Sequence, residues 1–433
     1  MVRFIGLDVH KNFIEACFLE EHGERPVWAR VPTSSEALSH FARRELRPED
    51  HVALEATGNT SAIVDILEPY VAEVVISNPL RTRAIAEAKI KTDKIDAYVL
   101  AQLLRANYLP RVWQPDSDTR TLRRLSAHRA ALGALRTGAK NRIHALLHQR
   151  LIASPFEDLF SKAGRRWLET LELDELGSSQ LACELRLLSA LEEEIAAVDD
   201  RLARLAYQRP EAKLLMTLPG VDFVVAEALL GAVGDWRRFK DGDSLASYLG
   251  LVPTVRQSGS RSYRGPITKS GPSHARWLLV QAAQHARRHP GPLGAFYRRI
   301  QRKKNHNVAV VAVAHKLATI AWKLLSTQQP YRYAQPATTQ AKLARLRVRA
   351  TGKRRKGGTP KGSPRTALYG AGRPTRRIPS LPNVLKEEGL PELAPPPAGE
   401  LRHMRQARVL TYARSIAHER RRPRNVSHDQ AKR

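Results

Sequence analysis

The sequence predicts an α/β domain with a mixed sheet at the N-terminus, a mainly α-helical chain after it, and a basic, largely disordered tail. Up to residue 91, short apolar runs rich in β-branched residues alternate with amphipathic segments, which is typical of strands interleaved with helices. From residue 92 onward, apolar residues recur at spacings of three and four, as in helices. Beyond Pro330, Gly, Pro and basic residues replace that periodicity.

The elements of the first part follow one another in a recognisable order. We predict strands at 2–10, 13–20 and 27–31, a helix at 34–46, a strand at 51–56, a helix at 60–70, a strand at 73–77 and a helical start at 79–88. A turn at His10-Lys11-Asn12 separates the first two strands. Three strands, helix, strand, helix, strand, helix is the order of the ribonuclease-H-like fold, so we predict that α/β fold.

The helical part contains one segment with a sustained apolar repeat. We predict helices at 92–107, 119–151, 178–207, 276–289 and 307–325. In 178–207 the apolar positions keep 3/4 spacing over nearly four heptads, which favours a coiled coil or a long helical hairpin over an ordinary core helix and leaves self-association open. Pro219-Gly220 between two helical runs indicates either a helix-hairpin-helix that meets a phosphate or a hairpin that only packs.

Composition points to a polyanionic partner. The 433 residues suffice for two or three domains, and 72 Lys and Arg against 42 Asp and Glu give a formal charge of +30. DNA or RNA is the first candidate for such a basic chain. The segment 331–433 holds 25 Lys and Arg and 6 Asp and Glu, so +19 of the charge lies there.

Cysteine use and hydropathy limit the protein class. Cys17 and Cys183 are the two cysteines, far apart in sequence, which argues against a disulfide framework or a cysteine zinc site and fits a reducing compartment. We see no apolar stretch of membrane-spanning length, and the chain enters a strand without a signal-peptide pattern. We therefore expect a soluble intracellular protein without a membrane partner.

Four carboxylates suggest a metal site. Asp8 would project from the first strand and Glu55 from the end of the fourth, while Asp93 and Asp96, three residues apart, share one helix face. Oxygen ligands suit Mg²⁺, and two such ions can activate a nucleophile and stabilise the leaving oxygen in phosphodiester cleavage. Singly, each acid also fits a structural role in a turn or at a helix N-terminus. Together they predict an Mg²⁺ site.

A basic loop at 255–275 is the second candidate site. Arg256, Arg261, Arg264 and Lys269 lie there among five serines. Arginine forks suit phosphate oxygens, so the loop is a candidate DNA-phosphate contact. One of its serines could attack phosphorus if a base or a metal assisted, although solvated loop serines are the competing interpretation. No neighbouring His–Asp pattern indicates a hydrolase triad.

At this point specific motifs resemble a known family. GLDVHK, LEATGN and KTDKIDA are similar to the N-terminal DEDD (RuvC-like) domain of the insertion sequence 110 transposases, which include the Piv-type DNA invertases. LPGVD, SYLGLVP and QSGSRSYRGPITKSGPSHARWLL resemble the C-terminal transposase domain of that family, and the resemblance spans residues 2–325. It implies a RuvC-like domain at 1–110, a helical coiled-coil region at 111–210, a C-terminal transposase domain at 211–328 and a tail at 329–433.

The resemblance also implies a chemistry. The family's proposed nucleophile maps onto Ser258, with Ser260 and Ser262 as alternatives if the alignment slips by two residues. Arg261 and Lys269 are then phosphate contacts, and the four acids bind Mg²⁺. The reaction implied is recombination through a transient covalent serine–DNA linkage, which keeps the energy of the broken phosphodiester and rejoins strands without ATP.

Partners follow from the same resemblance. It implies a structured guide RNA that pairs with donor and target DNA, so that base pairing reads sequence while the protein handles backbone. Lys140 and Arg142 in the basic helix at 119–151 are candidate RNA contacts, or else part of a solvated face. A homo-oligomer, dimer or tetramer, and a cytoplasmic, nucleoid-associated place in a prokaryote are expected.

Two other functions stay open from the sequence. One is a metal-dependent ribonuclease-H-like nuclease or junction resolvase in which water attacks and no serine is needed. The other is a noncatalytic nucleic-acid-binding protein, for which the acids would be dispensable.

Overall fold

The computed structural model describes residues 2–23, 25–85, 92–258, 261–353 and 375–423. The chain divides into two compact units, Met1–Pro115 and Asp116–Arg433. The helical start predicted at 79–88 is present as far as Ile85, and its residues 86–88 lie outside the described part.

The first unit is built on a mixed five-stranded sheet. Its elements are β1 Arg3–Val9, β2 Phe13–Glu20, β3 Val27–Pro32, α1 Ser35–Glu45, β4 His51–Glu55, α2 Thr60–Leu67, a 3₁₀ turn Glu68–Tyr70, β5 Glu73–Ser77, α3 Pro79–Ile85 and α4 Asp93–Arg105. The strand order is β3-β2-β1-β4-β5. β2 is antiparallel to β1 and β3, whereas β4 is parallel to β1 and β5. The predicted mixed sheet and element order are confirmed.

The two faces of this sheet bury different side chains. Successive residues of a strand point to opposite faces, so Ile5 and Leu7 lie on one face with Leu54. These residues form a core with apolar residues of α1 and α2. The polar residues Asp8 and Glu55 alternate with this apolar set, so they belong to the face covered by α4.

Helix α4 lies directly against the backbone of β1. A Cβ added to Gly6 would stand 2.6 Å from the backbone nitrogen of Ala101 and closer still to the carbonyl oxygen of Ala97. Ala97 and Ala101 are fully buried, and their small side chains allow the same close approach from the helix side. The absence of a side chain at Gly6 therefore sets how close α4 comes to the sheet.

The second unit is mainly helical. Its elements are α5 Ser117–Gln149, α6 Lys162–Glu169, α7 Glu175–Gln208, α8 Pro210–Leu215, α9 Phe223–Val233, a 3₁₀ turn Trp236–Arg238, α10 Gly242–Tyr248, β6 Pro253–Ser258, β7 Arg261–Ile267, α11 Ser273–Ala286, α12 Pro292–Lys303, α13 His306–Thr327, α14 Pro336–Thr351, β8 Thr375–Ile378, α15 Leu381–Glu387, α16 Ala398–Gln406, α17 Leu410–Ala417 and β9 Arg420–Pro423. Strands β6 and β7 form one antiparallel ribbon, and β8 and β9 form another. Each predicted helix of this part is present within a few residues of its predicted ends.

Helices α5 and α7 form a long antiparallel hairpin. Ion pairs join residues early in α5 to residues late in α7 and the reverse: Arg129 with Asp199, Arg142 with Glu184, and Arg150 with Asp174 just before α7. Between the two helices lie apolar side chains of both, in two buried clusters. The predicted apolar repeat is thus explained by a long helical hairpin within one chain, and self-association stays a prediction.

The turn at Pro219-Gly220 joins α8 and α9, as the hairpin prediction requires. Every residue of α9 is buried. Gly220 has a φ of +75°, and a Cβ on it would stand 2.5 Å from the carbonyl oxygen of Ala282 in α11. Gly220 therefore adopts a left-handed backbone conformation and also lies in tight contact with α11, and each of these favours glycine.

Helix α13 corrects one expectation. By length and apolar composition alone, His306–Thr327 could cross a membrane, so the expectation that no stretch is long and apolar enough is wrong for this helix. Half of its most apolar window is buried inside the protein. Its buried side chains, among them Val310, Val313 and Leu317, belong to the main core, which accounts for the apolar composition.

The C-terminal region corrects a second expectation, that of disorder. The expectation that residues 335–400 are mostly disordered is wrong for α14 and α15. Leu343 and Leu346 of α14 and Leu385 of α15 are buried in the same core as α9 and α11. The predicted helix at 402–420 is present as two short helices, α16 and α17. Residues 354–374 and 424–433 lie outside the described part.

Candidate active site

Asp8 and Glu55 lie side by side on the face of the sheet that α4 covers. In the parallel pairing of β1 with β4, Leu7 is opposite Leu54, so the next residues along the two strands are Asp8 and Glu55. Both side chains are partly buried. The carboxyl ends of these parallel strands thus supply two of the four predicted acids.

The other two acids come from the first turn of α4. The Thr92 side chain accepts a hydrogen bond from the Ile95 N–H and caps the helix, so that Asp93 and Asp96 occupy its first turn. Negative side chains are favourable at that end of a helix. Both charges act on Asp8, since Asp96 and Asp93 each raise the pKa of its carboxyl. The first turn of α4 therefore lies close enough to Asp8 for its two charges to act on that carboxyl.

His10 joins this group and was not predicted. Its Nε2 lies 2.9 Å from Oδ2 of Asp8 and 3.2 Å from Oδ1 of Asp93, so the imidazole bridges the two carboxylates. From the sequence, His10 belongs only to the turn between the first two strands. A signal was present, because Asp8 and His10 are two residues apart and side chains at that spacing share one side of an extended chain.

The electrostatics of Asp8 reflect crowding as well as burial. Burial raises the pKa of the Asp8 carboxyl, the charge and hydrogen bond of His10 oppose that rise, and the neighbouring acids add to it. Each of these effects would change if a cation entered, because a bound cation favours the ionised carboxylates.

The donor set fits a divalent cation. Asp8, His10 and Asp93 each offer one ligand atom, and these atoms all lie within 4.8 Å of one another. Mg²⁺ is commonly held by one or two carboxylates while it keeps several waters, and carboxylates also suit Mn²⁺. Glu55 and Asp96 lie outside this tight group of three. Glu55 is on the same side of the sheet as Asp8, and Asp96 is in the same helical turn as Asp93.

Ser258 is the last residue of β6 and is exposed. In the antiparallel ribbon it is opposite Arg261, and Arg256 is opposite Tyr263. Directly opposite residues share a face, and so do residues two apart on one strand. One exposed face, which we call the serine face, therefore presents Ser258, Arg256, Arg261 and Tyr263.

The alternative serines are separated from this face or lie outside the description. Ser262 is opposite Gln257, so it belongs to the other face of the ribbon. Ser260 lies outside the described residues. Of the two described candidates, Ser258 is the one that shares a face with Arg256 and Arg261.

The remaining predicted basic residues differ in their settings. Arg264 pairs with Val255 in the ladder. Lys269 is exposed and has a φ of +55°, an uncommon left-handed backbone for a residue with a side chain. Its N–H donates to the carbonyl oxygen of Gly250 at 3.3 Å, which fixes the backbone where the ribbon returns to the helical core.

Lys140 and Arg142 on α5 already have partners within the chain. The Lys140 ammonium lies 4.5 Å from the ring centre of Phe160, and Arg142 forms an ion pair with Glu184. Arg142 is nonetheless exposed. Contact with RNA stays a prediction for both residues.

Tyr263 is the second residue that sequence reasoning missed. Its side chain is 66% exposed on the serine face, next to two guanidinium groups. Aromatic side chains between cations are typical of surfaces that bind nucleic acid, because bases stack on the ring while cations meet phosphates. The interleaving of Tyr263 with Arg256, Arg261 and Arg264 was visible in the sequence, but the shared face was not.

Comparison with known families gives two matches. A model for the DEDD domain of IS110 elements, described as "Transposase", matches residues 5–151, and a model described as "Transposase IS116/IS110/IS902 family" matches residues 212–298. The first range contains the four acids and the second contains Ser258.

Individual relatives agree with these matches. The transposase for insertion sequence element IS1111A of Coxiella burnetii is 23% identical and covers 76% of this chain and 92% of the relative. The transposase for element IS1328 of Yersinia enterocolitica and the pilin gene-inverting protein of Moraxella bovis are each 26% identical, and each match covers 76% of this chain and 97% of the relative.

Proposed function

The chain belongs to the IS116/IS110/IS902 family of transposases, enzymes of DNA recombination, and from that premise we propose that it cuts and rejoins DNA through a Ser258–DNA linkage. The serine face supports this proposal most directly. It presents the Ser258 hydroxyl between Arg256 and Arg261 on an exposed ribbon, where a phosphodiester can reach all three groups.

The reaction exchanges one phosphate ester for another. The Ser258 Oγ forms a bond to phosphorus, the P–O bond to one sugar breaks, the serine proton leaves, and the departing sugar oxygen takes up a proton. Arg256 and Arg261 neutralise the phosphate oxygens and hold the phosphorus near Oγ. Because an ester replaces an ester, a sugar hydroxyl can reverse the exchange and rejoin the strand without ATP.

The DEDD domain implies dependence on a divalent metal, and we propose that Mg²⁺ is held by Asp8, Glu55, Asp93 and Asp96. When bound, such an ion supplies Lewis-acid stabilisation of the charge that develops on phosphate oxygens. The chain's own part is to aim the four carboxylates. The β1–β4 pairing fixes Asp8 beside Glu55, and the contact at Gly6 fixes the first turn of α4 over Asp8.

We assign the N-terminal unit to the ribonuclease-H-like fold, within a RuvC-like domain at 1–110. The assignment is supported by the order β3-β2-β1-β4-β5 and by acids at the ends of β1 and β4. We assign 111–210 to a helical region, 211–328 to the C-terminal transposase domain and 329–433 to a C-terminal extension that includes α14.

A guide RNA and self-association complete the proposal. A structured RNA would pair with donor and target DNA and dock on the basic helix α5, whose exposed Arg142 is a candidate contact. A dimer or tetramer would supply the several broken ends that strand exchange needs. The noncatalytic interpretation is set aside, because the family consists of recombination enzymes.

Paired variants test the proposal in a recombination assay with donor DNA, target DNA and transcribed element RNA. Ser258→Ala is expected to abolish both recombination and cleavage, and Ser262→Ala, on the other face of the ribbon, is expected to retain both. Asp8→Asn is expected to abolish strand cleavage while the fold is retained. If Ser258→Ala still cuts DNA and only Asp8→Asn does not, the protein is a metal-dependent nuclease and the serine proposal is wrong.

A further inference from the structure

A cavity of about 690 Å³ lies in the second unit, bounded by the turn that contains Gly220, by α11 and by α14. Its wall at the end of α11 includes Arg288, two residues beyond the helix, and its wall from α14 includes Lys342 and Arg345. The family match at the C-terminal side ends at residue 298, so the α14 wall comes from outside the matched range.

Two arginines give this cavity its charge. The guanidinium groups of Arg288 and Arg345 are exposed and have neither an ion pair nor a hydrogen bond to any described residue. Other arginines of α14 are engaged: Arg347 pairs with Glu388, and Arg349 pairs with Asp200. The unpaired guanidinium on α14 is thus the one that lines the cavity.

Lys342 has a different role on the same wall. Its Nζ donates to the carbonyl oxygens of Leu218 and Val221 at 2.7 and 2.8 Å and so ties α14 to the turn. Burial lowers the pKa of Lys342 to about 7, and the charge of Asp222 opposes that fall. The fixed positive charge of the cavity therefore comes from Arg288 and Arg345, while Lys342 holds the wall in place.

The polar groups around the cavity favour an anion. Asp222 is its one acidic side chain among the described residues that line it, and its Oδ1 already accepts from the Val225 N–H as the cap of α9. Helix α14, by contrast, begins without a side-chain cap, and Ala337 and Thr338 of its first turn line the cavity. Backbone N–H groups of an uncapped first turn bind anions, phosphates above all.

We propose that this cavity binds a phosphate of the DNA backbone, at a site distinct from the serine face. Arg288 and Arg345 approach from two different walls, so a phosphate between them meets two guanidinium forks and the N-terminal turn of α14. Arginine is suited to phosphate because its planar fork makes two hydrogen bonds at once. The proposal rests on the proposed function only in taking DNA as the ligand, since DNA is the substrate of the family.

Binding measurements on the full chain test this site. Arg288→Ala, Arg345→Ala and the double variant are titrated with labelled double-stranded DNA over a range of salt concentrations. The matched control is Arg204→Ala, because Arg204 is an exposed arginine of α7 that does not line the cavity and has no ion pair among the described residues. These four changes, and Arg345→Lys as a fifth, are made in a Ser258→Ala background, so the result does not depend on the serine chemistry.

The double variant is expected to bind DNA on the order of tenfold more weakly, since it can no longer form charged hydrogen bonds to the phosphate. Its affinity should also depend less on salt, with the logarithmic slope reduced by about 1, because the one phosphate that is no longer neutralised lowers the slope by about one. The control should change far less, Arg345→Lys should recover part of the affinity, and all variants should melt like the parent. The proposal is overturned if the double variant binds DNA with the affinity of the control. A double variant that keeps its affinity for DNA but no longer binds an RNA of equal length would show that the site serves RNA, which also overturns the proposal.

Discussion

Replacing Gly6 by alanine probes how the carboxylates are positioned. The new Cβ would stand 2.6 Å from the Ala101 nitrogen and closer to the Ala97 carbonyl oxygen, both of them backbone atoms of α4 that no rotamer change can move. Overpacking of this kind costs about 1–3 kcal/mol, and the rigid neighbours place Gly6→Ala at the upper end. Helix α4 must shift outward, and Asp93 and Asp96 in its first turn shift with it.

Calorimetry of the full chain and Mn²⁺ titration measure the two consequences. The Tm of the N-terminal unit should fall by about 12–24 °C at a cost near 3 kcal/mol, because each kcal/mol lowers the Tm of a domain of about 100 residues by roughly 4–8 °C. Affinity for Mn²⁺ should fall as well. Gly58→Ala is the matched control, since a Cβ there meets nothing within 4 Å. If Gly6→Ala matches this control in both Tm and Mn²⁺ affinity, α4 is not positioned by that contact.

Three further predictions concern the second unit. Burial raises the pKa of Glu227 from 4.5 to about 7, so the protonated side chain stabilises the folded state at low pH. That contribution, roughly 3 kcal/mol at most, is lost as pH rises from 4.5 through 7. Glu227→Gln should flatten this pH dependence of the free energy of unfolding in denaturation measurements. Tyr263→Ala should weaken binding of DNA with unpaired bases by about 1–3 kcal/mol in 2-aminopurine fluorescence titrations, whereas Val255→Ala on the other face should not. Leu343→Ala should destabilise the unit by about 2–5 kcal/mol in thermal melts, and an unchanged Tm would mean that α14 is not part of the core.

The N-terminal elements could be predicted because their signals are local. Alternating apolar residues in β1 and β2, the turn after Val9 and the Thr92 cap each occur within a few residues. The spacing of Asp93 and Asp96 on one helical turn is equally local. Their approach to Asp8 was expected from the fold, but the reason for it, a backbone contact at Gly6, needs the packed helix.

The other findings depend on contacts between distant residues. The apolar repeat of α7 predicts a partner but does not say that the partner is α5 of the same chain, which the ion pair of Arg129 with Asp199 shows. Helix α14 has apolar positions at helical spacing, but Gly- and Pro-rich basic sequence around it masked that signal. Its burial depends on the core around α9 and α11, and so does the cavity that contains Arg345.

The most direct test of the account is the identity of the DNA-linked residue. Labelled donor and target DNA are incubated with the protein, transcribed element RNA and Mg²⁺, and the reaction is stopped with denaturant. The adduct is then digested with trypsin and sequenced by mass spectrometry. Cleavage after Arg256 and Arg261 places Ser258 in the peptide of residues 257–261 and Ser262 in the next one. We expect a nucleotide on Ser258 that disappears in Ser258→Ala but not in Ser260→Ala. Cleaved DNA without any protein adduct, or an adduct on another residue, contradicts it.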